Sequence, residues 1–156
     1  MDRIKIVKSK IQGKGIISAV ELKKGDFVGF VKGPIKHKHN KGKKDSEANP
    51  DWVGFKKDYW IDPLPPFKYI NHSCEPNCGI KGTKSVYAIK NIKIGDELTF
   101  DYSISEIDLE WELDYICKCG SKSCRKKICS IQSLSKKKIA EYLPYVPTHF
   151  IKYIKT

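Results

Sequence analysis

The chain has 156 residues, 30 basic against 18 acidic, for a formal net charge of +12. With 40% hydrophobic and 11% aromatic residues it fits one folded domain with a single core, which excludes a disordered chain. No stretch approaches a membrane span. Met1-Asp2-Arg3-Ile4-Lys5 places charges where a signal peptide needs an apolar run, so a soluble protein with no membrane partner is expected.

In chain order, Arg3 to Val7 alternates polar and apolar residues and predicts a first strand. Gly13-Lys14-Gly15 reads as a turn before a second strand at Ile16 to Ala19. Lys23 to Asp26 is a turn, and Phe27 to Val31 a strand. Lys36 to Lys44 carries five lysines, His37 and His39 and no hydrophobic residue, which predicts a mobile surface loop. Histidines two apart in a lysine loop read as solvated groups. Contact with nucleic-acid phosphates is a use this basic surface allows.

Tyr59 to Asp62 is a short aromatic strand ended by Pro63. The polar turn Asn71-His72-Ser73-Cys74-Glu75-Pro76-Asn77-Cys78 follows, with amide, imidazole, hydroxyl and thiol groups closely spaced. Ser85 to Ile89 predicts another strand. Gly95-Asp96-Glu97-Leu98-Thr99-Phe100-Asp101-Tyr102 then reads as a turn leading into a strand. Leu98, Phe100 and Tyr102 would share one face of it.

From Ile94 to Ile116 there is no Lys or Arg, but eight acidic residues. Such a stretch in a basic protein attracts a cationic substrate, or else is a solvated acidic loop. Ser133 to Leu143 predicts a short helix, capped by Ser133 or Ser135 and stopped by Pro144.

Of the six cysteines, Cys117, Cys119 and Cys124 lie within eight residues. That crowding suits a tetrahedral metal better than pairwise disulfides, and such use of thiolates belongs in a reducing compartment. A closed structural zinc site needs a fourth ligand from elsewhere. Cys78 and Cys129 read as buried free thiols.

The octets beginning at Asn71 and Gly95, with the cysteine cluster downstream, together resemble the signature blocks of the SET domain. This is the family of S-adenosylmethionine-dependent protein lysine methyltransferases. The resemblance runs from about Ile4 to Ile128. It implies a mainly β fold of several small sheets, with a C-terminal pseudoknot, short helices and a post-SET zinc site. The SET domain would occupy residues 1–112, with a short variable insert at about 33–58. A zinc-binding segment at 113–130 and a C-terminal helix and tail at 131–156 would follow.

By the same resemblance, Tyr102 is the catalytic tyrosine, and Lys14, Gly15, Asn71, His72 and Tyr102 contact S-adenosylmethionine. Cys74 joins Cys117, Cys119 and Cys124 around one structural zinc ion. Lys68-Tyr69 stands where many members have Arg-Phe, and Arg125-Lys126 where many have Arg-Gly.

Methyl transfer to lysine requires a neutral amine, although its free pKa is about 10.4. An aromatic channel favours that form by desolvation. Tyr59, Trp60, Tyr69, Phe100 and Tyr102 are its candidate walls, each also a candidate for ordinary core packing. Phe100 stands at the family's switch position, where the absence of a hydroxyl implies di- or trimethylation.

The implied substrate is a basic protein such as a histone tail or a DNA-associated protein. The implied location is nuclear in a eukaryote, and cytoplasmic or host-delivered in a bacterium. Two alternatives stand beside the enzyme: a catalytically weak SET-like module that binds a partner, and a small basic zinc protein that binds nucleic acid.

Overall fold

The computed structural model describes residues 3–37 and 52–154. Its architecture is mainly β, in several small sheets with short helical turns, as expected. Strands β1 (Ile4–Lys8) and β2 (Lys14–Ser18) form an antiparallel hairpin. Gly13 turns the chain between them at a φ of +52°, a conformation that suits glycine. The Ser9 hydroxyl accepts from the backbone N–H groups of Ile11 and Gln12 and so closes the turn.

Strands β3 (Phe27–Phe30), β8 (Cys78–Lys81) and β9 (Ser85–Ala88) form a second sheet in the order β3-β9-β8. A third sheet holds β4 (Ile35–His37), β5 (Val53–Lys56) and β6 (Tyr59–Ile61), with β6 in the centre. Lys36 and His37, expected in a mobile loop, instead pair with Trp60 and Tyr59 in this sheet. Backbone hydrogen bonding and packing of the His37 ring on Tyr59 at 4.3 Å outweigh the charge of the segment. The rest of the predicted loop, including His39, lies outside the described residues, as does much of the predicted insert.

The fourth sheet is the smallest. β7 (Asn71–His72) and β10 (Thr99–Phe100) run parallel, with Thr99 opposite Asn71 and Phe100 opposite His72. The two signature octets therefore lie side by side. Asn77 extends this pairing with its side chain: its amide nitrogen donates to the Glu97 carbonyl at 2.8 Å. Its amide oxygen accepts from the Thr99 N–H at 2.9 Å.

The strand predicted through Tyr102 stops at Phe100. Asp101 leaves the sheet, and its carboxylate accepts from the Ser103 N–H and caps a 3-10 turn at Tyr102–Ser105. Apolar alternation could not reveal this, because Asp101 and residues 102–106 are all buried. The predicted C-terminal helix is α1 (Lys136–Tyr142), capped by the Ser135 hydroxyl. Ser133 belongs to a separate short turn instead, bonded to the Ser130 carbonyl.

The core is one cluster to which every sheet contributes, among them Ile16, Val53, Ile80 and Phe100, together with Ile139 and Tyr142 of α1. The third sheet meets the 3-10 turn at Gly54, where a Cβ would stand 2.5 Å from the Ser105 carbonyl oxygen. Backbone cannot yield there as a side chain can. Gly54→Ala is expected to lower stability by about 1–3 kcal/mol, read as a shifted midpoint in urea unfolding. An unchanged midpoint would contradict this packing.

Candidate functional site

Strand β7 and the first residue of the 3-10 turn beyond β10 build one wall of a cavity of about 580 Å³. Asn71, His72 and Tyr102 line it from the signatures, and Gln12 from the hairpin turn. Leu113, Tyr115 and residues 116–119 complete it from the cysteine segment. A smaller cavity of about 180 Å³ shares Gln12, Asn71, Tyr102 and Tyr115 with it and adds Gly13, Lys14 and Tyr69. Tyr102 thus faces both.

The hairpin turn is fastened to the site by Asn71. Its side-chain nitrogen stands 3.0 Å from the Lys14 carbonyl, 3.2 Å from that of Gln12 and 2.8 Å from Glu97 Oε1. The same carboxylate oxygen accepts from the Ser9 hydroxyl at 2.7 Å. Glu97 also accounts for Gly15, since a Cβ there would collide with its carboxylate. Gly15 lines neither cavity; Gly13 and Lys14 are the hairpin residues that reach the smaller one.

The Tyr102 hydroxyl donates to the Ile70 carbonyl at 3.0 Å. Its ring lies 5.3 Å from those of both His72 and Phe100. Tyr69 lies across the smaller cavity, with the Lys14 ammonium 5.0 Å above its ring. The structure therefore gathers Tyr69, Phe100 and Tyr102, although Phe100 lines neither cavity. Tyr59 and Trp60 sit apart, on the third sheet. Trp60 is buried and donates from Nε1 to Glu106 at 2.9 Å.

Burial above all lowers the His72 pKa to about 4, with Asp101 only partly offsetting it, so the ring is neutral near pH 7. Nδ1 accepts from the Tyr102 N–H at 3.1 Å, which places the ring proton on Nε2. That nitrogen faces Cys74 Sγ at 3.3 Å and donates to it.

Potential ligand atoms of His72, Cys74, Cys117 and Cys119 all lie within 4.8 Å of one another. Cys124 stands beside them, its Sγ 3.6 Å from the Cys117 carbonyl. Burial pushes the Cys74 thiol up to about 11. Burial works against Cys119 too, but the Cys74 N–H and the Ser121 hydroxyl help bring it down to about 6. This soft, thiolate-capable donor set fits zinc. Because Nε2 of His72 carries a proton, it suits donation to a sulfur rather than metal ligation. Elsewhere, burial pushes Cys78 up to about 12, as an inert thiol should be, and Cys129 is half-buried.

The acidic segment does not stay together. Asp101 and Glu106 are buried and Glu97 is engaged in the site. Asp108 and Glu110 line a separate cleft of about 490 Å³ with Asp58, Trp60 and Tyr153. Sequence reasoning missed Glu97, Asn77, Tyr115 and the partners of Asp101. Tyr115 had a local signal, an aromatic residue two before the first cysteine of the cluster, and Asn77 and Glu97 lie within the two octets.

A family model described as SET domain matches residues 13–103, and the chain belongs to that family. It is 29% identical to an H3 lysine-9 specific histone-lysine N-methyltransferase of Fusarium mangiferae, over 79% of this chain and 47% of that one. It is 31% identical to histone-lysine N-methyltransferase trithorax of Drosophila virilis, over 80% of this chain and 4% of that one. The chain thus spans less than half the length of these relatives. Among solved structures, it is similar to KRYPTONITE in complex with mCHH DNA, an H3 peptide and SAH. There the TM-score is 0.62 at 23% identity, covering 80% of this chain and 29% of that one. This structural likeness shows the fold alone.

Burial would raise the Asp101 carboxyl, but hydrogen bonds and charge from Arg125 hold it below the usual range. Its folded value is therefore the lower one. The stability it contributes is present above the unfolded pKa of about 3.9 and is lost as pH falls through the folded value. Asp101→Asn is expected to cost about 3–5 kcal/mol at pH 7. In urea melts that gap from wild type should persist to about pH 5 and narrow only below about pH 4. A gap that narrows between pH 7 and pH 5 would contradict the assignment.

Proposed function

We propose that this chain is an S-adenosylmethionine-dependent protein-lysine N-methyltransferase acting on a basic protein, such as a histone tail. The observation that carries this reading is the position of Tyr102, whose ring faces two adjoining cavities beside Asn71 and His72. Family membership and the methyltransferase relatives support it. Lys14, Gly15, Asn71, His72 and Tyr102 are the proposed cofactor contacts, Gly15 through its backbone. When bound, S-adenosylmethionine supplies the electrophilic methyl group.

The residues of the chain perform the remaining work. Asn71 holds the hairpin turn against the cavity. Tyr69, Phe100 and Tyr102 make an apolar surround that disfavours an ammonium and leaves the substrate amine neutral. The Tyr102 phenol supplies oxygen density near the reacting centre and orders it through its bond to the Ile70 carbonyl. Tyr59 and Trp60 are proposed as outlying parts of the substrate groove. Asp58, Asp108 and Glu110, in the cleft that Trp60 lines, favour a cationic peptide.

Cys74, Cys117, Cys119 and Cys124 would hold a structural zinc ion. His72 would donate to one of its thiolates and Tyr102 would donate, through its backbone, to His72. The post-SET segment would then form the side of the cofactor cavity. The absence of a hydroxyl at Phe100 leaves room for an amine that already carries methyl groups, which favours di- or trimethylation.

Labelled S-adenosylmethionine offered with core histones, nucleosomes and lysate tests the reading. Wild type is expected to label a basic protein, and Tyr102→Phe to transfer at least about 100-fold more slowly. Transfer to none of these substrates, with cofactor binding intact, would favour a binding module. In mass spectra of an exhaustive reaction, wild type should yield di- or trimethyl-lysine and Phe100→Tyr mainly monomethyl-lysine. Monomethyl product from wild type, unchanged in Phe100→Tyr, would refute the role of Phe100.

A further inference from the structure

Asp101 is fully buried one residue before Tyr102, and an ionised carboxylate there needs its lone pairs filled. All are. Oδ2 accepts from Arg125 Nη1 at 2.6 Å and from the Tyr142 hydroxyl at 2.7 Å. Oδ1 accepts from Arg125 Nη2 at 2.6 Å and from the Ser103 N–H at 3.1 Å. Nη2 also reaches the Ser103 hydroxyl at 3.2 Å.

Arg125 therefore grips the 3-10 turn of Tyr102 at two residues. Its backbone N–H donates to Cys74 Sγ at 3.3 Å, so one residue joins the cysteine cluster to the turn. Tyr142, from the far end of α1, adds a third hold on the same carboxylate. Only a planar fork can make the paired bonds to Asp101; a lysine can supply the charge but not that geometry.

We infer that Arg125, seconded by Tyr142, is a positioning residue that holds Asp101, and through it the Tyr102–Ser105 turn, in the geometry needed for methyl transfer. This makes α1 a support of the active site rather than an appendage. The inference rests on the reading of Tyr102 as the catalytic residue. Arg125 touches neither of the two cavities at Tyr102, so its effect is on alignment and not on ligand contact.

The test uses the full, metal-loaded chain as wild type, Arg125→Lys and the milder Tyr142→Phe. Turnover, peptide KM, cofactor affinity by calorimetry, zinc content and amide hydrogen exchange at Tyr102–Ser105 are measured together. Arg125→Lys is expected to lower kcat about 10- to 100-fold through misalignment. KM and cofactor affinity should stay within about twofold of wild type, because ground-state binding is untouched. Zinc content should hold and exchange across the turn should accelerate. Tyr142→Phe should show the same pattern at smaller amplitude.

Unchanged kcat in both variants would overturn the inference. So would a fall in kcat that merely tracks zinc loss or the unfolded fraction. If wild type transfers no methyl group, the functional reading fails separately and exchange decides the positioning role. Faster exchange at Tyr102–Ser105 in Arg125→Lys with zinc retained supports it, and unchanged exchange refutes it.

Discussion

A carboxylate with no exposure to water cannot be left unpaired, and in this fold the need to satisfy Asp101 brings three distant pieces of chain together. The signature turn supplies the acid, the segment after the cysteines supplies the arginine, and α1 supplies the phenol. Replacing Arg125 alone would strand the buried charge of Asp101, which is costly even though an intact buried pair adds little net stability. The gain is in specificity: a saturated carboxylate accepts one arrangement of its neighbours. That arrangement also sets the direction in which the chain leaves β10, and with it the place of Tyr102.

A second polar set acts on the opposite side of the parallel strand pair. Glu97 takes hydrogen bonds from Ser9 and Asn71, and Asn71 spans to the carbonyls of the hairpin turn. The lack of a Cβ at Gly15 lets that carboxylate approach. The first hairpin, distant in sequence, is thereby locked to the wall of the cavity. Between these two sets, His72 links Tyr102 to Cys74 with one ring nitrogen each. The turn of Tyr102 and the cysteine cluster thus form one mechanical unit.

The acidic stretch illustrates how folding sorts residues of one type into different tasks. Asp101 is saturated by one guanidinium, one phenol hydroxyl and one backbone N–H, and Glu106 is fastened to Trp60 and to two backbone N–H groups. Glu112 pairs with Lys127 at the surface. Asp108 and Glu110 line a cleft with Asp58 and Lys57 of the β5–β6 turn, while Asp96 and Asp114 are exposed elsewhere. A charge count along the chain overstates the negative surface, because burial removes Asp101 and Glu106 from it.

By itself, the sequence indicated six of the ten described strands, the short C-terminal helix and the grouping of the cysteines. Local alternation, turn residues and close spacing record such features directly. Resemblance nominated the two octets and Tyr102, and the parallel pairing of β7 with β10 sets them side by side. Only the tertiary structure decided that Tyr102 leaves the strand on a 3-10 turn, that Glu97 explains Gly15, and that Arg125 and Tyr142 converge on Asp101. The reason is physical: which polar group meets which partner depends on contacts between residues up to 88 positions apart, and no local pattern of residue types encodes them.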